Sequence, residues 1–295
     1  MNDGERQGDG VVEAGTDRNP ASVSGVLARV KSEPLPFVFF GGLLGLKVYL
    51  LVDFLFVQGA LAQAVSIMQT PSWGSSEDAY LLANISARAA YNVVAVLFDA
   101  LIIASYVIRI KPVGRATGFW ERYYPLMTAL LPMVGFAVLL LPGFRVMFPP
   151  FQLGEIMMRF DLPLAFPLLL EAGALAVALI GAVLSIASLW QLKRSFSLMV
   201  EVRTLVTTGM YRYVRHPLYM SELIHAFGTA ILAAHPIAMI VFLATLVTQV
   251  VRAKLEERKF LKLVPAYASY KNQTGFLWPR WSMGHPAAAK APSSR

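Results

Sequence analysis

The hydrophobic positions of this chain fall in long unbroken runs, without the alternation of a half-buried strand or the single apolar stripe of a surface helix. Apolar runs occupy about residues 36–60, 88–110, 123–142 and 164–191, and a longer block covers about 217–252. Each of the first four is near the ~20 residues that a helix needs to cross hydrocarbon. The last block is interrupted at Ala234, His235 and Pro236. A proline there breaks the helical ladder, so the block reads as a helical hairpin rather than one long helix. The pattern predicts an all-α fold: a polytopic integral membrane helical bundle of about six transmembrane helices that ends in this hairpin.

Outside the runs the chain changes character. Residues 1–33 are polar, rich in Gly, Asp and Ser, and carry no apolar period, which predicts a disordered tail. They lack the basic start and short apolar core of a signal peptide. Residues 34–192 then hold the N-terminal transmembrane helices, 193–281 hold the hairpin with a C-terminal helix, and 282–295 read as a second disordered tail.

Charge orients the spans. The basic residues cluster between apolar runs: Arg29 and Lys31 before the first, Arg109, Lys111, Arg115 and Arg122 after the second, and Lys193, Arg194, Arg203, Arg212 and Arg215 after the fourth. The segment 61–87, expected to be a loop, has Glu77 and Asp78 but no Lys or Arg. The positive-inside rule places the basic segments in the cytoplasm and 61–87 outside, together with the loop after the third span, so both termini are expected to be cytoplasmic. The net charge of +8 is thereby explained by cytoplasmic loops facing anionic lipid, and nucleic acid is not expected as a partner. One consequence matters for function: the segment before the hairpin and the tail after 252 share one membrane face and can build one site.

Composition removes several chemistries. With 56% hydrophobic and 15% charged residues the chain is too apolar for an ordinary soluble domain. It has no cysteine, which excludes disulfides, thiolate catalysis and Cys-ligated metals. The histidines at 216, 225, 235 and 285 are too few and wrongly spaced for a multi-histidine diiron site, and no metal is expected. No GxGxxG follows a strand and no Walker-type GxxxxGK occurs. A transporter is disfavoured by the lack of an internal repeat. Within the spans, Lys47 and Asp99 read as a structural ion pair near mid-membrane, while Asp53 and Glu171 lie nearer the outer side, lining a cavity or snorkelling. GGLLG at 41–45 reads as a helix-packing motif.

Residues Leu205 to Tyr219, LVTTGMYRYVRHPLY, read differently from the rest. Pro217 disfavours helical geometry at His216 and leaves local backbone groups free where a helix enters the membrane. Gly209 relaxes the preceding turn, and Tyr211, Tyr213 and Tyr219 offer flat faces and hydroxyls suited to an adenine, a ribose or a sulfonium. An interfacial aromatic belt is the competing account of the tyrosines. Glu222 and His225, at i, i+3, could supply a base; an intramembrane polar contact is the alternative.

The run TGMYRYVRHPLY, the hairpin, then Arg252, Glu256, Glu257, Tyr267, Tyr270 and Trp278-Pro279 together resemble the isoprenylcysteine carboxyl methyltransferase and phospholipid methyltransferase superfamily over about 190–281. The resemblance implies a methyltransferase motif region at 193–281, S-adenosyl-L-methionine as cofactor, and a lipid or lipid-modified acceptor. It implies that Arg203, Thr204, Leu205, Val206, Tyr211, His216, Pro217, Leu218, Tyr219 and Glu256 contact the cofactor. Arg252, one helical turn before Glu256, matches an arginine on the acceptor side that aligns a carboxylate. The sequence departs from the pattern in having one residue fewer between the acidic pair and Tyr267, and Pro265 where a glycine is common. The implied reaction is in-line attack on a sulfonium methyl, governed by positioning and electrostatics. A carboxylate acceptor needs only an aligning cation such as Arg252; an amine would call on Glu222 or His225 as catalytic base. Two rivals stand beside this reading: an NADPH-dependent membrane sterol or lipid reductase, whose C-terminal half is similar, and a catalytically inactive scaffold. The LVTTG start and the Arg252 to Glu256 spacing fit the methyltransferases better.

Overall fold

A computed structural model of the protein describes residues 34–69, 76–110, 112–138 and 166–280, with positions 27, 30 and 31 besides. Most of the two expected disordered tails, the loop expected after the third span, Arg29, Lys111 and His285 lie outside the described residues.

Nine α-helices are described: α1 Pro34–Val52, α2 Ala60–Gln69, α3 Ser76–Ile108, α4 Gly118–Arg122, α5 Tyr124–Val138, α6 Phe166–Leu192, α7 Pro217–Leu232, α8 Pro236–Leu263 and α9 Tyr267–Gln273. The chain is an all-α polytopic membrane bundle, and among the described residues no named sheet occurs. Four stretches are long and apolar enough to cross a bilayer: Pro36–Gln69, Leu81–Ile108, Leu169–Ser195 and Pro236–Leu263. Of the other two expected spans, one is described only in part and one is shorter. The described part of the third ends at Val138, and α7 has 16 residues, about 24 Å of helix against ~30 Å of hydrocarbon.

The hairpin forms where the sequence places it. Ala234 turns with φ 46°, and the His235 side chain caps α8 by accepting from the Ile237 N–H at 3.1 Å. Pro217 and Pro236 each sit in the first turn of their helix, where a missing N–H costs nothing.

Close approach of backbones sets the centre of the bundle. A Cβ on Gly228 of α7 would lie 2.4 Å from the Ala178 nitrogen of α6, and one on Gly181 of α6 would lie 2.3 Å from the His225 nitrogen of α7. Ser185 donates to Ser221 at 3.0 Å across the same seam. Small residues and a buried hydroxyl pair are the means by which helices associate where lipid removes the usual hydrophobic drive. Phe40, Ile102, Tyr106, Leu189, Phe196, Leu198 and Leu218 then bind α1, α3, α6 and the loop after it to α7 in one apolar cluster.

Several expectations are corrected. The glycines of GGLLG make no close helix approach, since nothing outside their own helix among the described residues lies within 4 Å of where a Cβ would stand on Gly41, Gly42 or Gly45; the motif packs through Leu43. The packing glycines are Gly181 and Gly228 instead. The segment 61–87, expected as a loop, is helical over 60–69 and again from 76. The first span turns through a π-helix at Asp53–Val57, with Asp53 taking a bond from the Gln58 side chain at 2.7 Å, before Gly59 breaks it at φ 73°. Lys47 and Asp99 do pair, at 2.9 Å, and Glu171 pairs with Arg88.

The basic segments meet at one end of the bundle. Val202 and Gly114 form an antiparallel bridge, with the Val202 N–H donating to the Gly114 carbonyl at 3.0 Å. The buried Lys259 ammonium of α8 donates to the carbonyls of Arg115 (2.6 Å) and Val200 (3.1 Å) and to Glu121 (2.5 Å). Burial works against the Glu121 charge most strongly, but Lys259 and the Thr117 hydrogen bonds outweigh it and hold the carboxyl below its ordinary value.

Candidate functional site

The cavity at this end is built from a loop, a short turn and helices α7, α8 and α9, with Leu192 at the end of α6. The loop before α7 closes with a 3-10 turn, Gly209–Arg212. Gly209 is required there twice over: its φ is 61°, and a Cβ would stand 2.3 Å from the Gln191 Oε1 that accepts the Met210 N–H at 2.7 Å. The turn directs Tyr211 inward. Its carbonyl takes the Tyr270 hydroxyl at 2.7 Å, whereas its own hydroxyl is buried in the cavity wall with no hydrogen-bond partner among the described residues. Burial first, then the Glu256 charge, push the Tyr211 hydroxyl well above its ordinary pKa, so it remains an O–H donor. Burial likewise pushes Tyr270 up to about 12. Tyr213 points away, 60% exposed with the Arg212 guanidinium 5.9 Å from its ring, as an interfacial side chain would.

The Arg215-His216-Pro217 step does not leave backbone groups free. Residues 275–276, beyond α9, strap across it: the Arg215 N–H donates to the Gly275 carbonyl at 2.9 Å and the His216 N–H to Phe276 at 3.2 Å. Pro217 frees the backbone from the helix only for a neighbouring strand-like segment to take it up. The Glu257 carboxylate fixes the same step from the other side, accepting from Arg215 Nε at 2.6 Å, with Lys271 Nζ at 3.0 Å and His216 Nε2 at 3.4 Å.

Along α7 and α8 the acidic pair divides its work. Glu257 anchors the Arg215-His216 step, and Glu256, one residue earlier, faces the cavity and accepts from the Tyr219 hydroxyl. The Tyr219 ring stacks on His216, 5.5 Å between centroids and 4° from parallel, and the Arg252 guanidinium stands 4.8 Å from its centroid. Arg252 donates from Nη2 to the Leu198 carbonyl at 2.8 Å, while its Nε lies 3.6 Å from Glu256 without a hydrogen bond.

Thr204, Leu205, Val206, Tyr211, His216, Leu218, Tyr219 and Glu256 line this cavity. Pro217 starts the helix beside it. Arg203 is buried behind the wall, bonded to Glu201 at 2.6 Å. Glu222 and His225 are not brought together. Glu222 faces α8 and accepts from Gln249 Nε2 at 2.7 Å; His225 faces α3 and α6, its Nδ1 at 3.1 Å from the Ala178 carbonyl and its Nε2 at 3.3 Å from the Tyr91 hydroxyl, with the two rings stacked. Sequence reasoning missed Leu192, Ser195, Phe196, Ser197, Met199 and Glu201, which also line the wall and follow no motif. Phe260 was accessible to it, since it lies one turn after Glu256; its ring stacks on Tyr267 at 5.0 Å.

The class defined here is a polytopic α-helical membrane protein with an aromatic and acidic cavity at one end of its C-terminal hairpin. Residues 174–262 match the model of the isoprenylcysteine carboxyl methyltransferase (ICMT) family. The chain is 33% identical over 88 residues to the protein-S-isoprenylcysteine O-methyltransferase of Saccharomyces cerevisiae (strain ATCC 204508 / S288c), a match that covers 28% of this chain and 37% of that relative. Over residues 174–262 the chain is thus similar to the isoprenylcysteine carboxyl methyltransferase superfamily. The matched residues run from α6 through α8; α9 and the strap at 275–276 lie beyond them.

Proposed function

We propose that the protein is an integral membrane methyltransferase that uses S-adenosyl-L-methionine to methylate the carboxylate of a lipid-associated acceptor. The observation that carries this reading is the Tyr219 to Glu256 hydrogen bond in the cavity wall. It joins the Arg-His-Pro segment to the acidic pair, the two halves of the family pattern, across 37 residues of chain. The wall fits the cofactor: flat rings, a buried O–H with no partner on Tyr211, and a carboxylate on Glu256 suit an adenosyl group that carries a cation. Bound there, S-adenosyl-L-methionine would supply a methyl carbon already activated by its sulfonium.

The chain's own residues then hold and align. Thr204, Leu205, Val206, Tyr211, His216, Leu218, Tyr219 and Glu256 form the cofactor cradle, with Arg203 and Pro217 supporting it from behind. Arg252, beside Tyr219, has an Nε–H that makes no hydrogen bond, 3.6 Å from Glu256, with which to orient an anionic oxygen. Such an acceptor needs no general base, and His225, engaged on both ring nitrogens, supplies none. In this reading residues 193–281 carry the chemistry, 34–192 hold it in the membrane, and the cavity and both termini face the cytoplasm. The cofactor enters from water and the acceptor sideways from the bilayer.

The division of roles is tested by two variants in detergent. Glu256→Ala is expected to weaken S-adenosyl-L-homocysteine binding at least ~10-fold. Arg252→Ala is expected to leave that binding within about threefold while lowering methyl transfer ~100-fold or more, a loss confined to the transition state. Equal loss of binding in both would contradict it.

A further inference from the structure

At the end of the bundle where the basic segments meet, the exposed side of α8 carries Lys254, Arg258 and Lys262, four residues apart on one helical face. α8 has 28 residues, about 42 Å of helix against ~30 Å of hydrocarbon, so its last turns reach the headgroup layer. The loop at 113–122 lies beside them: a Cβ on Gly114 would stand 2.3 Å from Leu263 Cδ1, and Lys259 Nζ donates to the Arg115 carbonyl at 2.6 Å. In α4 and the residue after it, Phe119, Trp120 and Tyr123 are 54%, 59% and 50% exposed. Their rings are linked, with centroids 5.8 and 6.1 Å apart, and the Arg122 guanidinium stands 5.9 Å from the Tyr123 ring. Arg115, Arg122, Lys254, Arg258 and Lys262 have no ion pair among the described residues. The carboxylates at this end are already held: Glu121 by Lys259, Glu201 by Arg203, Glu257 by Arg215 and Lys271, and Glu256 by Tyr219 and Arg252. Exposed rings beside uncompensated cations fit an anionic amphiphile, the rings at its acyl boundary and the cations at its charge.

We propose that this face, formed by α4 and the last turns of α8, binds the headgroup of an anionic phospholipid, with Arg115, Arg122, Arg258 and Lys262 on the phosphate and Trp120 at the acyl boundary. The helix that meets the lipid also holds the cavity wall. The Glu121 carbonyl accepts the Val200 N–H at 2.9 Å and its carboxylate accepts Lys259 Nζ at 2.5 Å. Val200 lies between Met199 and Glu201, which both line the cavity. A headgroup that settles α4 therefore settles the wall, so lipid and cavity ligand strengthen each other's binding. The lipid surface stands independently of the methyltransferase reading, and only the identity of the cavity ligand rests on it.

The test uses the full chain, delipidated in a neutral detergent and titrated in mixed micelles with phosphatidylglycerol or phosphatidylcholine of the same brominated acyl chains, binding being read as quenching of tryptophan fluorescence. Phosphatidylglycerol is expected to bind saturably and at least ~10-fold more tightly than phosphatidylcholine, with the difference shrinking as salt is raised. Arg122→Gln/Lys262→Gln, at two exposed positions, should fold normally and lose at least ~10-fold of the phosphatidylglycerol affinity. The charge-matched Lys193→Gln/Arg212→Gln, in the segment between α6 and α7, should lose less than about threefold. S-adenosyl-L-homocysteine affinity should rise about threefold or more with phosphatidylglycerol in the wild type and in the second variant, but not in the first. Phosphatidylglycerol binding no tighter than phosphatidylcholine, or equal loss in both variants, would overturn the surface. Tight phosphatidylglycerol binding with no gain in S-adenosyl-L-homocysteine affinity would overturn the coupling. Absence of S-adenosyl-L-homocysteine binding in either lipid would instead remove the methyltransferase reading, and the lipid comparison would still decide the surface.

Discussion

At the scale of single residues, the neighbours Glu256 and Glu257 show how one sequence feature divides into two tasks. Helical geometry turns adjacent side chains about 100° apart, so one carboxylate faces the cavity and the other the Arg215-His216 step. Tyr219→Phe removes only the hydroxyl given to Glu256, and is expected to weaken S-adenosyl-L-homocysteine binding about 5- to 10-fold without lowering the melting temperature. Glu257→Gln leaves Arg215 short of a buried counter-charge, and is expected to cost about 3 kcal/mol of stability, seen as a lower thermal-unfolding midpoint in detergent. The sequence distinguished these two glutamates only through the family resemblance. Nothing in the local pattern says which of two adjacent acids points into a cavity, because that depends on how α8 is rotated against α7.

At the scale of elements, the apolar runs located the helices well but not their ends or their partners. The break at 234–236 and the Lys47 to Asp99 pair were legible because proline and intramembrane charge each admit few arrangements. The packing glycines were not. GGLLG looked like a contact stripe, yet the seam runs through Gly181 and Gly228, isolated glycines whose role appears only when α6 and α7 are laid together. Gly228→Leu would drive a side chain into the α6 backbone at Ala178, which cannot yield as a side chain would. It is expected to cost about 3 kcal/mol or more, measured as loss of the monodisperse folded fraction; a well-folded variant of unchanged melting temperature would show that the seam is looser than described. The strap at 275–276 was equally hidden, since pairing between distant short segments leaves no periodic trace.

At the scale of the molecule, the basic loops tie distant parts of the chain together. Residues 109–122, 193–203 and α8 are tied together through Lys259, so the wall behind the cavity depends on a loop some 140 residues away in sequence. Lys259→Met is expected to lower stability by about 2 kcal/mol and to loosen ligand binding in parallel. The tie also fixes a pH response. Glu121 has a folded pKa below its ordinary 4.5, so its contribution is present in full above pH 4.5 and is lost as the pH falls through the depressed folded value. Thermal unfolding between pH 7 and 3 should therefore show an acid-side loss of stability that is smaller in Lys259→Met than in the wild type. A pH profile identical in both would remove Lys259 as the cause.

The most direct measurement is calorimetric titration of the detergent-purified protein with S-adenosyl-L-homocysteine and, separately, with NADPH, alongside Glu256→Ala. Saturable binding of the first ligand, weakened at least ~10-fold by Glu256→Ala, with no NADPH binding, is the expected result. Binding of NADPH alone would place the protein among membrane reductases, and binding of neither would leave the cavity a structural remnant in a scaffold.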